Sequence, residues 1–227
     1  MALVSAVLTA GVEWERLEKN VCLGVEKLHE QPRETFLTPA ELANLLAALD
    51  DDANRPEADA IRLLAATGCR RTEIFSLTWA QVDLGAGTLR LEAGMTKNGR
   101  RRLVLLNDIA KETLERAVGY RRPGSDFVFP ADNRQGRVSW AQRSWERAKR
   151  RAGIDPKIRL HDLRHSVGSL LGHIYPEAVV AKMLGHLDSR TTRKYTINFN
   201  NEQLREAADA VSRRIGEAGA EAAPPAE

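Results

Sequence analysis

"RLHDLRHSVGSLL", residues 159–171, sets His161, Asp162, Arg164 and His165 into what is otherwise an apolar helix. Ionisable side chains are costly to bury unless something pairs with them, so this segment needs a partner. At helical spacing Leu160, Leu163, Val167 and Leu170/Leu171 form one stripe, and His161, Arg164, His165 and Gly168 form another. Two imidazoles and a guanidinium on one face invite an anion, and Gly168 would let it approach the backbone. The plain alternative is a surface helix with scattered polar residues. Zinc is a poor fit, because His161 and His165 are four apart but no Glu follows His161 and no cysteine lies nearby.

Three other segments offer isolated polar groups of the same kind. "ATGCRRTEIFSLTW" (66–79) puts Arg70 just past a helix that stops at Gly68, with Ile74 and Leu77 turned inward. "MTKNGRRRLVLL" (95–106) puts Lys97 at the tip of a hairpin whose turn is Asn98-Gly99. "LGHLDSRTTRKYT" (184–196) places His186 after a second glycine stop and Tyr195 nine residues later. Each is weak alone, since a lone Tyr usually packs and a hairpin-tip Lys is usually solvated.

The bulk composition narrows the partner. With 43% hydrophobic and 29% charged residues, the 227-residue chain is an ordinary soluble globular protein of one substantial domain. No run of about 18 apolar residues is present, so a membrane partner is not expected. The apolar opening "MALVSAVLTAGVEW" has no basic leading region and reads as a helix, not a secretory signal. Two cysteines, Cys22 and Cys69, make neither a metal spacing nor a disulfide framework, which points to a reducing cytoplasm. Net charge is only +3, but residues 90–151 hold 16 Lys and Arg against seven Asp and Glu. Such a one-sided field suits the nucleic-acid backbone.

Periodicity predicts α+β organisation, mostly helical, with one small antiparallel sheet. "TPAEL" opens a helix with Thr38 as cap, Pro39 at the first position and Glu41 closing a capping box. "EADAIRLLAATG" (57–68) is a second helix, and residues 88–92 and 102–106 have strand composition. A helix follows at 108–118, then a short apolar "FVF" at 127–129. Another helix is predicted from Ser139, with Gln142 completing a capping box. From residue 160 onward the pattern is helical, and Leu204, Ala207/Ala208, Val211 and Ile215 form a stripe whose plain reading is packing on its own domain, the alternative being a neighbouring protomer.

In order and surroundings these boxes resemble the catalytic domain of the tyrosine recombinases, the phage integrase family, from about Phe36 to Ile215. "TGCRRTEIFSLTW" resembles the family's first arginine box and "TKNGRRRLVL" its hairpin lysine. "HDLRH" is similar to the next box, and "LGH" followed by "TTRKYT" to the last. The resemblance implies a DNA breaking-rejoining fold and a site-specific recombinase or integrase that works through a covalent 3′-phosphotyrosine. Tyr195 would be the nucleophile, and Arg70 and Arg164 would clamp the phosphate. His161 would accept the tyrosine proton, Lys97 would protonate the leaving 5′ oxygen, and His186 would hydrogen-bond the phosphate or position the tyrosine. Glu73 would hold the arginine loop, with Asp162 and His165 in supporting roles.

The resemblance also implies that neither metal nor other cofactor nor ATP is used. Double-stranded DNA would be the partner, met by Arg100, Arg101, Arg102, Arg143 and Arg147. The chain would be a monomer when free and a tetramer on DNA, with accessory DNA-bending factors as a further partner class and a cytoplasmic, nucleoid-associated location. Residues 1–33 correspond to the last helix of an N-terminal DNA-binding domain plus linker, 34–216 to the catalytic domain, and 217–227 to a disordered tail. Two other readings share these features: a truncated remnant or DNA-binding regulator that does not recombine, and a type IB topoisomerase-like relaxing activity.

Overall fold

The structure, a computed structural model, describes residues 2–25, 35–95, 101–185 and 201–222. It divides into two compact units, residues 1–34 and 35–227. The first holds α1 (Ala2–Glu13) and a turn that folds back on it. Asn20 ties that turn down, its Nδ2 donating to the Ser5 carbonyl at 2.9 Å and to Thr9 Oγ1 at 2.8 Å.

The second unit is built around one buried helix. α2 (Pro39–Asp50) starts at the expected capping box: Thr38 Oγ1 accepts from the Glu41 N–H, and Glu41 Oε2 accepts from the Thr38 N–H. α3 (Arg55–Thr67) is capped by Asn54 and ends at Gly68, whose φ of +63° is the left-handed turn that glycine adopts freely. A short α4 (Arg71–Phe75) follows. The sheet comprises β1 (Val82–Asp83), β2 (Thr88–Leu91) and β3 (Arg102–Leu105), antiparallel in that order, with Leu89 opposite Val104 and Arg90 opposite Leu103. Beyond it lie α5 (Asp108–Ala117), α6 (Gln142–Ala152), α7 (Asp162–Gly172), α8 (Glu177–Leu184) and α9 (Asn201–Ala222).

α3 packs against α2, α4, α5, α6, α7 and α9, which is why every residue from Ala58 to Thr67 is buried. Burial on all sides traps two charged side chains, and both are paired. Asp59 accepts from Arg116 Nη2 at 2.9 Å and from the Tyr120 hydroxyl at 2.6 Å, while Arg62 donates to the Leu46 carbonyl at 2.6 Å. α9 packs on α2 with Ala207, Ala208, Ala210, Val211 and Ile215 buried, so the predicted stripe is covered by its own domain.

Several local expectations change. The strand β1 has only two residues, too short for an alternating pattern to announce it. α6 starts at Gln142, three residues later than predicted, and its cap is Ala141 without a side-chain bond. Val138 instead donates its N–H to the Phe129 carbonyl at 2.9 Å, which holds that stretch extended. α9 runs to Ala222, past residue 216, because the Ala and Glu residues of its end favour a helix in spite of Gly216 and Gly219. Among the described residues no helix is long and apolar enough to cross a membrane.

Candidate active site

Two helix ends meet where the site forms. The last carbonyls of a helix have no partner within it and carry the negative end of its dipole, so cations gather there. α8 ends at Gly185, again left-handed at φ +69°. Three successive carbonyls at this end each accept from a different arginine. Arg102 Nη1 donates to Met183 at 2.9 Å, Arg164 Nη2 to Leu184 at 2.5 Å, and Arg70 Nη2 to Gly185 at 3.3 Å. Arg164 also reaches the end of α3, its Nη1 donating to the Gly68 carbonyl at 2.8 Å. Gly68 itself leaves no room for a side chain, since a Cβ there would lie 2.6 Å from Leu184 Cδ2.

Glu73 is the anion of the cluster and is wholly buried. Its Oε2 accepts from the Arg70 backbone N–H and from Arg102 Nη2, each at 2.7 Å, and its Oε1 accepts from Arg70 Nη1 at 3.0 Å. Burial by itself would raise the carboxyl pKa. The Arg102 charge and the hydrogen bonds from Arg70 and Arg102 outweigh it and hold the group below the usual carboxylate range. Arg164, only 5% exposed, is pushed down to about 10 by burial and by the charges of Arg70 and Arg102. Neighbouring Cys69 is buried, and its thiol is raised by desolvation. The cluster therefore holds three guanidinia and one carboxylate, Arg70 and Arg102 on Glu73 and Arg164 on the helix-end carbonyls, and the excess of positive charge suits a phosphate.

α7 presents the histidines differently from its arginine. Its first turn is fixed when Asp162 Oδ2 accepts from the Arg159 N–H at 2.8 Å, and Ser166 Oγ anchors it by accepting from the Leu37 N–H at 2.7 Å. His161, at the cap, and His165 both face solvent, with ring centroids 5.3 Å apart and edge to face. Burial, then the charges of His165 and Arg164, lower the His161 pKa, so the imidazole is neutral and able to accept a proton near pH 7. Arg164 does not share their exposed face as the stripe predicted. It turns inward to the two helix ends, where the Gly68 and Leu184 carbonyls accept from it.

The basic residues expected to meet DNA separate into two groups. Arg143 is exposed, and Arg101 is exposed beside Glu92, with Nε to carboxylate at 2.7 Å. Arg147 instead grips buried Asp52 with two N–H bonds of 2.9 and 2.8 Å, and Arg102 is spent on Glu73 and Met183. β alternation was the signal for Arg102, which shares a strand face with buried Val104. Lys97, Arg100, His186 and Tyr195 lie outside the described residues. The structure thus brings together Arg70, Glu73, Arg102 and Arg164, with His161 and His165 on the helix that carries Arg164.

The fold matches those of solved recombinase structures. The integrase from mycobacterium phage Brujita superposes with a TM-score of 0.62 at 19% identity, covering 94% of this chain and 74% of that one. The XerA recombinase superposes with a TM-score of 0.60 at 26% identity, covering 77% of this chain and 64% of that one. This is the α+β, mostly helical architecture of tyrosine recombinase catalytic domains.

The sequence profile described as the phage integrase family matches residues 35–202, and the chain belongs to that family. Tyrosine recombinase XerD of Pseudomonas putida is 36% identical over 181 residues, 73% of this chain and 58% of that protein. XerD of Vibrio cholerae is 36% identical over 183 residues, 75% of this chain and 59% of that protein. The chain therefore spans a little under three fifths of the length of these relatives.

Proposed function

We propose that this protein is a site-specific DNA recombinase that cuts and rejoins strands through a covalent bond to Tyr195. The observation that carries this reading is the convergence of Arg70 and Arg164 on the ends of α3 and α8, with Glu73 between Arg70 and Arg102. A phosphate bound there meets preorganised donors, the main requirement for stabilising a phosphorane. The match to XerD recombinases over nearly three quarters of the chain supports the same chemistry.

In this reading the Tyr195 oxygen attacks the scissile phosphorus and its proton passes to neutral His161. The 5′ oxygen leaves with a proton from Lys97, and the 3′ phosphate remains on the tyrosine. Reversal by another 5′ hydroxyl reseals the strand, so the bond energy is conserved and ATP is not needed. The guanidinia supply the charge that metal ions supply in two-metal nucleases. His186 binds the phosphate or positions the tyrosine, and Arg100, Arg101 and Arg143 follow the DNA backbone.

Double-stranded DNA is the substrate, and the protein acts as a tetramer on it, a monomer otherwise, within the cytoplasm. A lambda integrase of like fold has been solved as a tetramer bound to a Holliday junction, at 18% identity and a TM-score of 0.60. The decisive experiment incubates the protein with nicked suicide fragments from around its own gene and looks for an SDS-resistant adduct. An adduct formed by the wild type and abolished by Tyr195→Phe is expected. Salt-sensitive DNA binding without any adduct would instead make the protein a DNA-binding regulator. Adducts on any supercoiled plasmid, with relaxation, would make it a topoisomerase.

A further inference from the structure

We propose that Arg102 is a positioning residue of this site, one that shares Glu73 with Arg70 and clamps the end of α8 to strand β3. The inference rests on the recombinase reading for its catalytic consequence, but its geometry stands apart from it. Arg102 is the first residue of β3 and touches three other segments. Its Nη2 reaches Glu73 of α4 at 2.7 Å and Cys69 Sγ at 3.6 Å, and its Nη1 reaches the Met183 carbonyl of α8 at 2.9 Å. The rigid planar guanidinium sets Nη1 on a carbonyl and Nη2 on a carboxylate in one fixed geometry, whereas a lysine ammonium is a single point charge on a flexible stem.

Packing fixes the clamp as firmly as its hydrogen bonds. A Cβ on Gly185 would lie 2.9 Å from Arg102 Cδ and 3.0 Å from Nε, so the side chain lies flat on the glycine backbone. This gives Gly185 a second reason to be glycine besides its φ of +69°. The residue next in the chain is His186, and Lys97 precedes Arg102 by five positions. Arg102 thus joins strand β3 to the end of α8.

Sharing Glu73 also tunes Arg70. With Arg102 present the carboxylate is divided between two guanidinia, and the cluster keeps two positive charges in excess. Without it Glu73 would bind Arg70 alone, and the excess would fall by half. The side chain of Arg102 is only 13% exposed, which argues against a direct role on the DNA backbone.

The test compares the full chain with Arg102→Gln, Arg102→Lys and, as an exposed control on α5, Glu112→Gln. For each, adduct formation at saturating suicide DNA, DNA affinity and backbone amide exchange by mass spectrometry are measured. Arg102→Gln is expected to slow adduct formation by about 10- to 100-fold, the penalty of a misplaced catalytic group, with affinity within about threefold. Amide exchange should rise in residues 69–75 and 177–185 but not in α5. Arg102→Lys should recover part of the rate, and Glu112→Gln should leave rate, affinity and exchange as in the wild type. Loss of affinity at an unchanged saturated rate would overturn the proposal and make Arg102 a DNA contact. Unchanged exchange in both segments would overturn the clamp. If the wild type forms no adduct, the recombinase reading fails, and the exchange data alone still decide whether Arg102 holds these two segments.

Discussion

Glu73 holds Arg70 at two points, accepting its backbone N–H at 2.7 Å and its Nη1 at 3.0 Å. One buried carboxylate therefore sets both the path of the arginine loop and the aim of the guanidinium that leaves it. Breaking a buried pair leaves uncompensated charge, so Glu73→Ala should cost about 3–5 kcal/mol in urea unfolding. Its pH dependence has a definite sign. The folded carboxyl is held below its ordinary value, so its stabilisation is complete above the usual carboxylate pKa and is lost as pH falls through the folded one. The acid limb of stability should flatten in Glu73→Gln, and an unchanged limb would exclude Glu73 as its source.

Arg147 offers a contrast with Arg143 on the same helix. Asp52 is held low because the Arg147 hydrogen bonds, the Asn54 N–H and the Arg147 charge together outweigh the effect of burial. Arg147→Ala should therefore destabilise the fold by about 1–3 kcal/mol by stranding a buried acceptor. Exposed Arg143→Ala should stay within about 0.5 kcal/mol of wild type, its effect falling on DNA affinity instead. Equal stability of the two variants would refute the assignment.

Gly68 and Gly153 have nearly the same backbone, at φ +63° and +67°, but different surroundings. A Cβ at Gly153 meets nothing within 4 Å, whereas at Gly68 it meets Leu184 at 2.6 Å and Val167 at 3.1 Å. Gly153→Ala should cost only the left-handed strain, about 1–2 kcal/mol. Gly68→Ala adds overpacking and should cost about 2–4 kcal/mol. Thermal unfolding of the pair checks this, and similar losses would deny the close approach of α8 to the end of α3.

His161 should limit strand cleavage on the acid side. Burial and the charges of His165 and Arg164 put its pKa below the ordinary histidine value. A base in this role works above its pKa, so cleavage should be flat around pH 7 and fall only below about 6.5. His165→Asn removes one repelling charge and should move this limb upward. A limb that does not respond would point to a different proton acceptor.

Tyr120 gives the opposite sign. Burial and the Asp59 carboxylate raise its phenol to about 12. The resulting stabilisation is complete below the ordinary tyrosine pKa of about 10 and fades as pH rises toward the folded value. Wild type should therefore lose stability above pH 10 faster than Tyr120→Phe does in alkaline denaturant titrations.

What the sequence determined was local. Thr38 and Glu41 close a capping box without tertiary help, and the left-handed stops at Gly68 and Gly185 follow from the lack of a Cβ. The apolar stripes of α7 and α9 are periodic enough to name their buried faces, and the order of the boxes was legible enough to assign the family. Tertiary structure alone decided which arginines are free. Arg102 and Arg147 read as basic surface because their charge is visible in the chain, while their acceptors, Glu73 and Asp52, lie 29 and 95 residues away. Arg164 faces inward for the same reason, since its carbonyl partners exist only where α3 and α8 end side by side. An ion pair across such separations has no periodic signature, and only the packing of the helices brings its two halves together.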